Sequence, residues 1–326
     1  METLTDWIFH LSSAADFEAA ALRVFGFQYD GNAVYRAYCQ HIGIQKEMVK
    51  TLSDIPFLPI SFFKTHEVRT TEFVPELTFQ SSGTTGMAHS IHFIKYADLY
   101  RQSLLNSFRH FYGNPVEYTF LALLPNYLEQ KNSSLIYMVE TLMHQSASED
   151  NGYFLYNHEE LYNKLLHLRD KQQKTILWGV TFALLDFAEK YRMDFPELIV
   201  FETGGMKGRR KEMVKEELYA VLQGAFGVHS IHSEYGMCEL LSQAYSVGDN
   251  IFKTPPWMRL CLRSERDPLD GSNSASTGVI NVVDLANLYS CSFIATEDLG
   301  RRNGQGIEVL GRLDNAQLRG CNLLVL

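Results

Sequence analysis

The chain has 326 residues and carries 29 basic against 38 acidic side chains, so its formal net charge is −9. Hydrophobic residues make up 46% of the sequence and aromatic residues 13%, which is enough to bury a large core and argues against a disordered chain. Because no basic excess is available to neutralise phosphates, the composition also argues against a general nucleic-acid binder. The length fits about two domains or one large α/β unit.

The sequence predicts a cytoplasmic protein without a membrane span. Its longest apolar run, residues 176–185, is too short to cross a bilayer. The first ten residues place no basic region ahead of an apolar run, so no signal peptide is expected. The five cysteines are odd in number and form no CxxC pair, which favours reduced thiols over a disulfide framework or a zinc ribbon.

The first 50 residues are predicted to form helices, because their apolar residues, beginning with Trp7 and Leu11, recur at helical spacing. Proline removes a backbone donor and restricts the residue before it, so Pro56 and Pro59 cannot lie inside a helix. A linker or cap edge is therefore predicted within residues 54–75.

Beyond this linker, strand-like and helix-like segments alternate. The predicted strands are residues 118–124, 174–180, 197–202 and 228–232, and the predicted helices are residues 133–143, 181–191 and 209–222. Strands separated by helices of this length indicate crossover units and a largely parallel sheet.

After residue 250 the segments become short and are broken by Gly, Asn and Asp. Strands are predicted at residues 258–262, 278–283, 292–296 and 306–310, which indicates a small antiparallel sheet. The predicted domains are a helical cap or linker over residues 1–75, an α/β core over residues 76–270 and a small β subdomain over residues 271–326.

The loop at residues 79–86, FQSSGTTG, is the strongest local signal for a binding site. Its glycines permit close backbone approach, and its hydroxyl and amide donors can surround an anion such as a triphosphate. It is not a Walker A loop, because the GK[ST] ending is absent. Taken alone, the loop is equally consistent with a flexible turn. The nearby His89 and His92 face opposite ways on a strand, so no zinc site is expected.

Three further turns can contribute to a nucleotide site. The turn at residues 203–205 follows a predicted strand, and taken alone it is better explained as an ordinary strand-to-helix turn unless other loops support a site. In the YGMCE segment, Tyr235 can stack on an adenine ring and Glu239 can hold Mg²⁺. In the TEDLGRR segment, Asp298 can accept both hydroxyls of a ribose, or can simply belong to a capped turn with a surface salt bridge.

The order of these segments resembles the adenylate-forming enzymes. The segments are SSGTTG (81–86), TGG (203–205), YGMCE (235–239), TEDLGRR (296–302) and GRLDNAQLRG (311–320). Within that superfamily the chain is most similar to the LuxE-type acyl-protein synthetases, which are subunits of the fatty-acid reductase that supplies aldehyde to bacterial bioluminescence. The resemblance covers residues 75–326.

The resemblance implies an α/β fold. The expected architecture is an adenylate-forming-enzyme-like large domain with parallel-rich sheets, an N-terminal helical segment and a small C-terminal antiparallel region. The usual C-terminal lid domain, which normally brings a catalytic lysine, is expected to be absent. Other cations, Lys207, Arg301 or Arg302, are the candidates to replace that lysine.

The resemblance also assigns roles to individual residues, with ATP and Mg²⁺ as cofactors. It implies that the ATP phosphates are bound by Ser81, Ser82, Gly83, Thr84, Thr85 and Gly86. It implies that Gly204 and Gly205 line the adenine and acyl pocket and that Tyr235, with Gly236, stacks on the adenine. Glu239 is the implied Mg²⁺ ligand, and Asp298 and Arg312 are the implied contacts to ribose and phosphate. The chain departs from the family pattern in three places. The loop continues Gly86-Met-Ala-His without the usual lysine, Cys238 replaces a threonine, and Glu297 replaces a glycine.

The implied activity is ATP-dependent activation of a carboxylic acid, a fatty acid in this family, as an acyl-adenylate. A cysteine near the C-terminus accepts the acyl group, and Cys321 matches it. The neighbouring Arg319 favours its thiolate. A reductase or another acyl-acceptor protein is the implied partner.

Two alternative functions remain open. The chain can be a ligase that passes the acyl group to CoA or to a carrier-protein thiol, or a degenerate nucleotide-binding scaffold without catalysis. Trp178, Thr181 and Phe182 are candidates for the acyl pocket, and their bulk is equally consistent with core packing.

Overall fold

The computed structural model describes residues 4–81, 89–124, 132–204, 213–267, 269, 273, 275–304 and 306–313. The α-helices in this part of the chain are α1 (Leu4–Ile8), α2 (Ala14–Gly31), α3 (Ala33–His41), α4 (Phe62–Thr65), α5 (Ala97–Tyr112), α6 (Ser134–Ser146), α7 (His158–Asp170), α8 (Thr181–Ala188) and α9 (Lys215–Phe226). Short 3-10 turns occupy Lys46–Met48, Leu52–Asp54 and Pro115–Glu117.

The strands are mostly short. They are β1 (Leu58–Pro59), β2 (Leu77–Gln80), β3 (Ile91–Ile94), β4 (Thr119–Leu123), β5 (Gly152–Phe154), β6 (Thr175–Val180), β7 (Ile199–Thr203), β8 (Ile231–Tyr235), β9 (Ala244–Ser246), β10 (Ile251–Phe252), β11 (Met258–Arg263), β12 (Thr277–Asp284), β13 (Phe293–Asn303) and β14 (Gly306–Arg312).

The predicted N-terminal helices are confirmed, and side-chain caps fix where two of them begin. The Ser13 hydroxyl accepts a hydrogen bond from the Asp16 amide at 3.1 Å, at the start of α2. Asn32 ends α2 and also caps α3, because its side-chain oxygen accepts from the Tyr35 amide at 2.9 Å. Each cap satisfies a backbone donor that has no partner within its own helix.

The contacts divide the chain into two compact units. The first unit comprises Met1–Tyr100, Glu239–Ser242 and Lys253–Leu326, and the second comprises Arg101–Cys238 and Gln243–Phe252. The predicted boundaries at residues 75 and 270 stay a prediction about domains.

The first unit contains the predicted antiparallel sheet. Its strands β11, β12, β13 and β14 are antiparallel neighbours in that order, and β1 pairs in parallel with β13. Strands β2 and β3 form a separate antiparallel hairpin. The buried Gln28 of α2 donates to the carbonyls of Asn287 and Leu288, both at 3.0 Å. This hydrogen bonding fixes α2 against the segment that follows β12.

The second unit contains the predicted parallel sheet, with strand order β5-β4-β6-β7-β8-β9. Strands β4 to β8 pair in parallel, and β9 joins β8 in the antiparallel sense. Every residue of β4 and β6 is buried, which explains why both strands read as continuous apolar runs. Strand β5 and helix α7, which lie between predicted elements, were not expected.

Trp178 belongs to the core of the second unit. It is fully buried, and its ring stacks on Phe201 with centroids 4.1 Å apart and an interplanar angle of 5°. Phe182 is buried in the same cluster. The structure therefore favours the core-packing interpretation of these two side chains.

Two further predictions have partial outcomes. Helix α9 begins at Lys215 rather than at the predicted residue 209, and residues 209–212 lie outside the described part. No described helix combines the length and apolarity that crossing a membrane requires. The cellular location stays a prediction.

Candidate functional site

Three of the predicted site residues lie at one edge of the parallel sheet in the second unit. Strands β6, β7 and β8 run side by side, with Gly179 opposite Glu202 and Glu202 opposite Ser233. Because parallel strands end at the same edge, Gly204 after β7 and the Tyr235–Gly236 turn of β8 come together there. Gly205 lies outside the described residues.

Gly204 adopts a backbone conformation that favours glycine, with φ of +73°. Its carbonyl accepts a hydrogen bond from the Thr181 hydroxyl at 2.9 Å. The same hydroxyl oxygen is also within hydrogen-bond distance of the Glu202 carboxylate, so its one hydrogen is shared between the two acceptors. Thr181, at the start of α8, therefore holds the turn after β7, and its place in an acyl pocket stays a prediction.

Glu202 is a buried carboxylate that was not recognised in the sequence. It accepts from the Ser233 hydroxyl at 3.4 Å, and Lys215 Nζ lies 4.0 Å from its Oε2. The Ser233 hydroxyl is in turn 2.7 Å from the Tyr219 hydroxyl. These hydrogen bonds and the nearby Lys215 compensate the negative charge of the buried Glu202. In the sequence Glu202 is visible only as a polar residue at the end of an apolar strand.

Glu234 is a second carboxylate at this edge that was not predicted. Glu234 as a residue is half-buried, and its carboxyl group is the part that protein atoms surround. This desolvation raises the pKa of Glu234 to about 7, although the hydrogen bond from Thr203 opposes the shift. The Thr203 hydroxyl lies 3.5 Å from Oε2. A Cβ atom on Gly236 would overlap Oε1 of Glu234, so glycine at this position leaves room for the carboxylate.

Tyr235 is packed at the end of β8. Its ring meets Phe252 edge-on, with centroids 5.9 Å apart. Lys215 Nζ lies 5.5 Å from the Phe252 ring centroid. The stacking of Tyr235 on an adenine stays a prediction.

Ser81, in the first unit, belongs to the glycine-rich loop, defined as residues 79–86. Its amide donates to the Ser90 carbonyl at 3.1 Å, and its hydroxyl accepts from the Ser90 amide at 2.9 Å. His89 Nδ1 lies 2.7 Å from the Ser81 carbonyl oxygen. The predicted phosphate ligands Ser82, Gly83, Thr84, Thr85 and Gly86 lie outside the described residues.

Asn287 connects this hairpin to Glu239 within the first unit. Its Nδ2 donates to the Glu239 carbonyl at 2.8 Å and to the Cys291 carbonyl at 2.9 Å. Its Oδ1 lies 3.1 Å from Nε2 of His92 on β3. Both His92 and Asn287 are buried. The backbone of the proposed metal ligand is therefore held to the strand that leaves the glycine-rich loop.

Asp284 fixes the residues that follow Glu239. Its carboxylate accepts from the Leu241 amide at 2.8 Å, the Ser242 amide at 2.9 Å and the Ser242 hydroxyl at 2.6 Å. Burial raises the pKa of Asp284, and these hydrogen bonds oppose the shift. Neither Asp284 nor Asn287 was recognised, although the DLAN segment after a predicted strand is the signal that could have drawn attention to them.

Asp298 and Arg312 face each other across β13 and β14, with Nε 3.7 Å from Oδ1. The side chain of Arg312 is 71% exposed and that of Asp298 is 17% exposed, so solvent weakens this ion pair. Among the candidate replacement cations, Arg301 binds Glu308 through two nitrogens and Arg302 binds Asn273. Lys207 and Cys321 lie outside the described residues.

A family model for acyl-protein synthetase, LuxE, matches residues 12–326. The chain belongs to the LuxE acyl-protein synthetase family. No curated protein matches it in sequence.

Solved structures support the fold of this LuxE family member. An open conformation of 2-hydroxyisobutyryl-CoA ligase, in complex with 2-HIB-AMP and CoA, is similar with a TM-score of 0.65 at 15% identity, over 94% of this chain and 72% of that one. The likeness confirms an adenylate-forming-ligase-like α/β fold.

Two other ligases match over less of the chain. Coronafacic acid ligase from Pectobacterium brasiliense has a TM-score of 0.45 at 16% identity, over 67% of this chain and 44% of that one. O-succinylbenzoate coenzyme A synthetase from Bacillus subtilis, in complex with ATP and magnesium ion, has a TM-score of 0.46 at 15% identity, over 72% and 49%. The LuxE family member thus spans about half the length of these two ligases.

The residues of the LuxE family member fit a nucleotide-bound Mg²⁺. Mg²⁺ commonly takes one or two protein carboxylates and completes its shell with phosphate oxygens and water. Glu239 is 4% exposed and its backbone is fixed by Asn287, so it can supply one such carboxylate. In the described part of the chain, no three His, Cys, Asp or Glu residues cluster as a metal site.

Proposed function

We propose that this LuxE family member uses ATP to activate a carboxylic acid, a fatty acid in particular, as an acyl-adenylate and then transfers the acyl group to a thiol. The observation that carries the proposal is the family match over residues 12–326. The buried Glu239, held through Asn287 to the hairpin of the glycine-rich loop, supports it.

In the first step, a carboxylate oxygen of the acid attacks the α-phosphorus of ATP. The bond between that phosphorus and the bridging oxygen breaks, and pyrophosphate leaves. The chemistry needs positioning of the two reactants and neutralisation of the phosphate charge. Glu239 would hold Mg²⁺, which supplies that neutralisation when bound. Tyr235 would stack on the adenine, and Asp298 and Arg312 would contact the ribose or phosphate.

The polar side chains at the strand ends have a positioning role in this proposal. Thr181 holds the carbonyl of Gly204, and Glu202 holds Thr181. Because Glu202 is itself bound by Ser233, the turn after β7 cannot shift without breaking a buried network. A fixed turn here provides a defined surface for the nucleotide and the acid.

In the second step, the sulfur of Cys321 attacks the carbonyl carbon of the acyl-adenylate. The bond from that carbon to the AMP oxygen breaks, AMP leaves, the thiol proton passes to solvent, and an acyl-enzyme thioester results. In the sequence Arg319 precedes Cys321 by two residues, and a positive charge near a thiol favours the thiolate form. A reductase, or another protein that accepts acyl groups, would then take the acyl chain.

The test is acyl labelling of the purified protein with ATP, Mg²⁺ and a radiolabelled fatty acid. We expect a label that hydroxylamine removes, that Cys321→Ser abolishes, and that the matched control Cys261→Ser retains. Equal labelling of the Cys321→Ser variant would contradict transfer to this cysteine. If CoA stimulates AMP release by the Cys321→Ser variant, the chain is instead a ligase that uses a soluble thiol.

A further inference from the structure

A pocket of about 430 Å³ lies in the first unit and contains none of the residues that the family resemblance assigns. Its volume is in the range of small-molecule sites, which run from roughly 300 to 1,000 Å³. Ala14 and Ala15 at the start of α2, together with Leu52 and Phe57, form an apolar wall. Arg259 of β11 and Asn281 of β12 also line it.

Arg259 brings a positive charge to this pocket. Its guanidinium lies 3.9 Å from the ring centroid of Phe17, a buried residue of α2. Stacking holds the plane of the guanidinium and leaves the donors at its edge available. Across the residues that the structure describes, no carboxylate forms an ion pair with Arg259. The pocket's own carboxylate, Glu18, accepts instead from the Leu52 amide at 3.0 Å.

Asn281 adds an amide donor beside this charge. It is 2% exposed, and its Oδ1 accepts from Arg263 Nη1 at 2.9 Å. Within the described residues, its Nδ2 donates to no protein acceptor. The two hydrogens of this amide are therefore available to a ligand in the pocket or to water.

Arg259 and Asn281 face the same side of the antiparallel sheet. On the paired strands β11 and β12, Cys261 lies opposite Asn281 and Arg259 lies opposite Val283. Arg259 and Asn281 are therefore diagonal neighbours on these two strands. Such neighbours are roughly 7–8 Å apart, which allows both to reach one ligand group. A carboxylate accepts two parallel bonds from a guanidinium and further bonds from an amide.

We propose that this pocket binds an amphipathic organic carboxylate, with its head group on Arg259 and Asn281 and its chain along Ala14, Leu52 and Phe57. The carboxylate supplies acceptors to the Arg259 guanidinium and to Asn281 Nδ2, and the apolar wall covers the chain. The proposal is independent of the proposed function, because the pocket shares no residue with the assigned nucleotide site.

The experiment uses Cys261 as a reporter inside the pocket. The full-length protein, without ATP, is alkylated with iodoacetamide at pH 9, and site-resolved mass spectrometry follows Cys261. Burial raises the pKa of this thiol to about 11, so its basal alkylation is slow and measurable over hours. We expect decanoate to slow alkylation of Cys261 at least about fivefold and decanol, which lacks the carboxylate, to have no effect.

Variants separate the pocket from the proposed active site. Arg259→Gln and Asn281→Asp should each abolish protection by decanoate, and Asn281→Asp retains an acceptor for Arg263. Arg266 is exposed, and Arg266→Gln is the matched control in which decanoate should still protect Cys261. Four outcomes would each overturn the proposal. Decanol could protect Cys261 as well as decanoate does, or decyl phosphate could protect it where decanoate does not. Decanoate could also give no protection, or the same protection in Arg259→Gln as in wild type. Glu239→Gln should leave protection intact, so failure of the proposed catalysis and failure of this pocket are distinguishable. Equilibrium dialysis of radiolabelled decanoate against wild type and Arg259→Gln provides a second readout.

Discussion

His92 Nε2 lies 3.1 Å from Oδ1 of Asn287, and the amide nitrogen of the same asparagine donates to the Glu239 carbonyl at 2.8 Å. One buried side chain thus holds both the strand that leaves the glycine-rich loop and the segment of the proposed metal ligand. In the proposed function Asn287 is therefore a positioning residue, because it fixes the backbone of Glu239.

Asn287→Ala should impair adenylation more than its stability loss explains. The substitution leaves buried partners at His92 and Glu239 unpaired, so we expect unfolding to become easier by about 1–3 kcal/mol. We also expect the KM for MgATP in pyrophosphate exchange to rise about tenfold or more, because Glu239 loses its anchor.

The matched control for this variant is Asn151→Ala in the second unit. Asn151 also bonds backbone groups, donating to the Met143 carbonyl and accepting from the Phe120 amide. We expect Asn151→Ala to lower stability by a similar amount while leaving the KM for MgATP unchanged. An equal KM in both variants would show that Asn287 is only structural.

Gly236→Ala should reduce adenylation through displacement of Glu234. The added methyl overlaps the Glu234 carboxylate, which must move at the turn that carries Tyr235. We expect a loss in exchange rate of about 10- to 100-fold, and partial rescue when Glu234→Ala removes the overlap. Gly224→Ala, whose methyl would contact nothing within 4 Å, is the control and should be neutral or stabilising. A double variant no better than Gly236→Ala alone would refute the steric explanation.

The carboxyl group of Glu234 should make stability depend on pH. Its pKa is raised from the ordinary 4.5 to about 7, so between these values the folded state binds more protons than the unfolded state. Stability contributed by this group is therefore present below pH 4.5 and is lost as the pH rises towards 7. Urea unfolding of wild type and Glu234→Gln should show a stability difference that grows in favour of the variant across this window and stays constant above it. Parallel profiles would contradict the raised pKa.

The sequence predicted the parallel sheet well because its strands are buried on both faces. The segments 118–124 and 174–180 contain the apolar runs 120–124 and 176–180, and the structure has β4 and β6 within the two segments. The antiparallel strands were predicted too short, since β13 extends to Asn303 through polar residues that pair with β14. Pairing between neighbouring strands, rather than apolar pattern, sets that length.

The candidate site was predicted as separate turns, and the residues that connect them were missed. Glu202, Asp284 and Asn287 are polar residues within or just after apolar strands, and apart from the DLAN segment no local pattern marks them. Their partners are distant in sequence, as His92 and Asn287 illustrate with a separation of 195 residues. Only the tertiary fold brings such pairs together.

Pyrophosphate exchange tests the central claim most directly. Radiolabelled pyrophosphate should enter ATP only when both Mg²⁺ and a carboxylic acid are present, in wild type and in Cys321→Ser alike, because adenylation precedes the thiol step. Glu239→Ala should lose the exchange. ATP binding without exchange, tested with fatty acids from short to long chains, would contradict adenylation and indicate a nucleotide-binding scaffold.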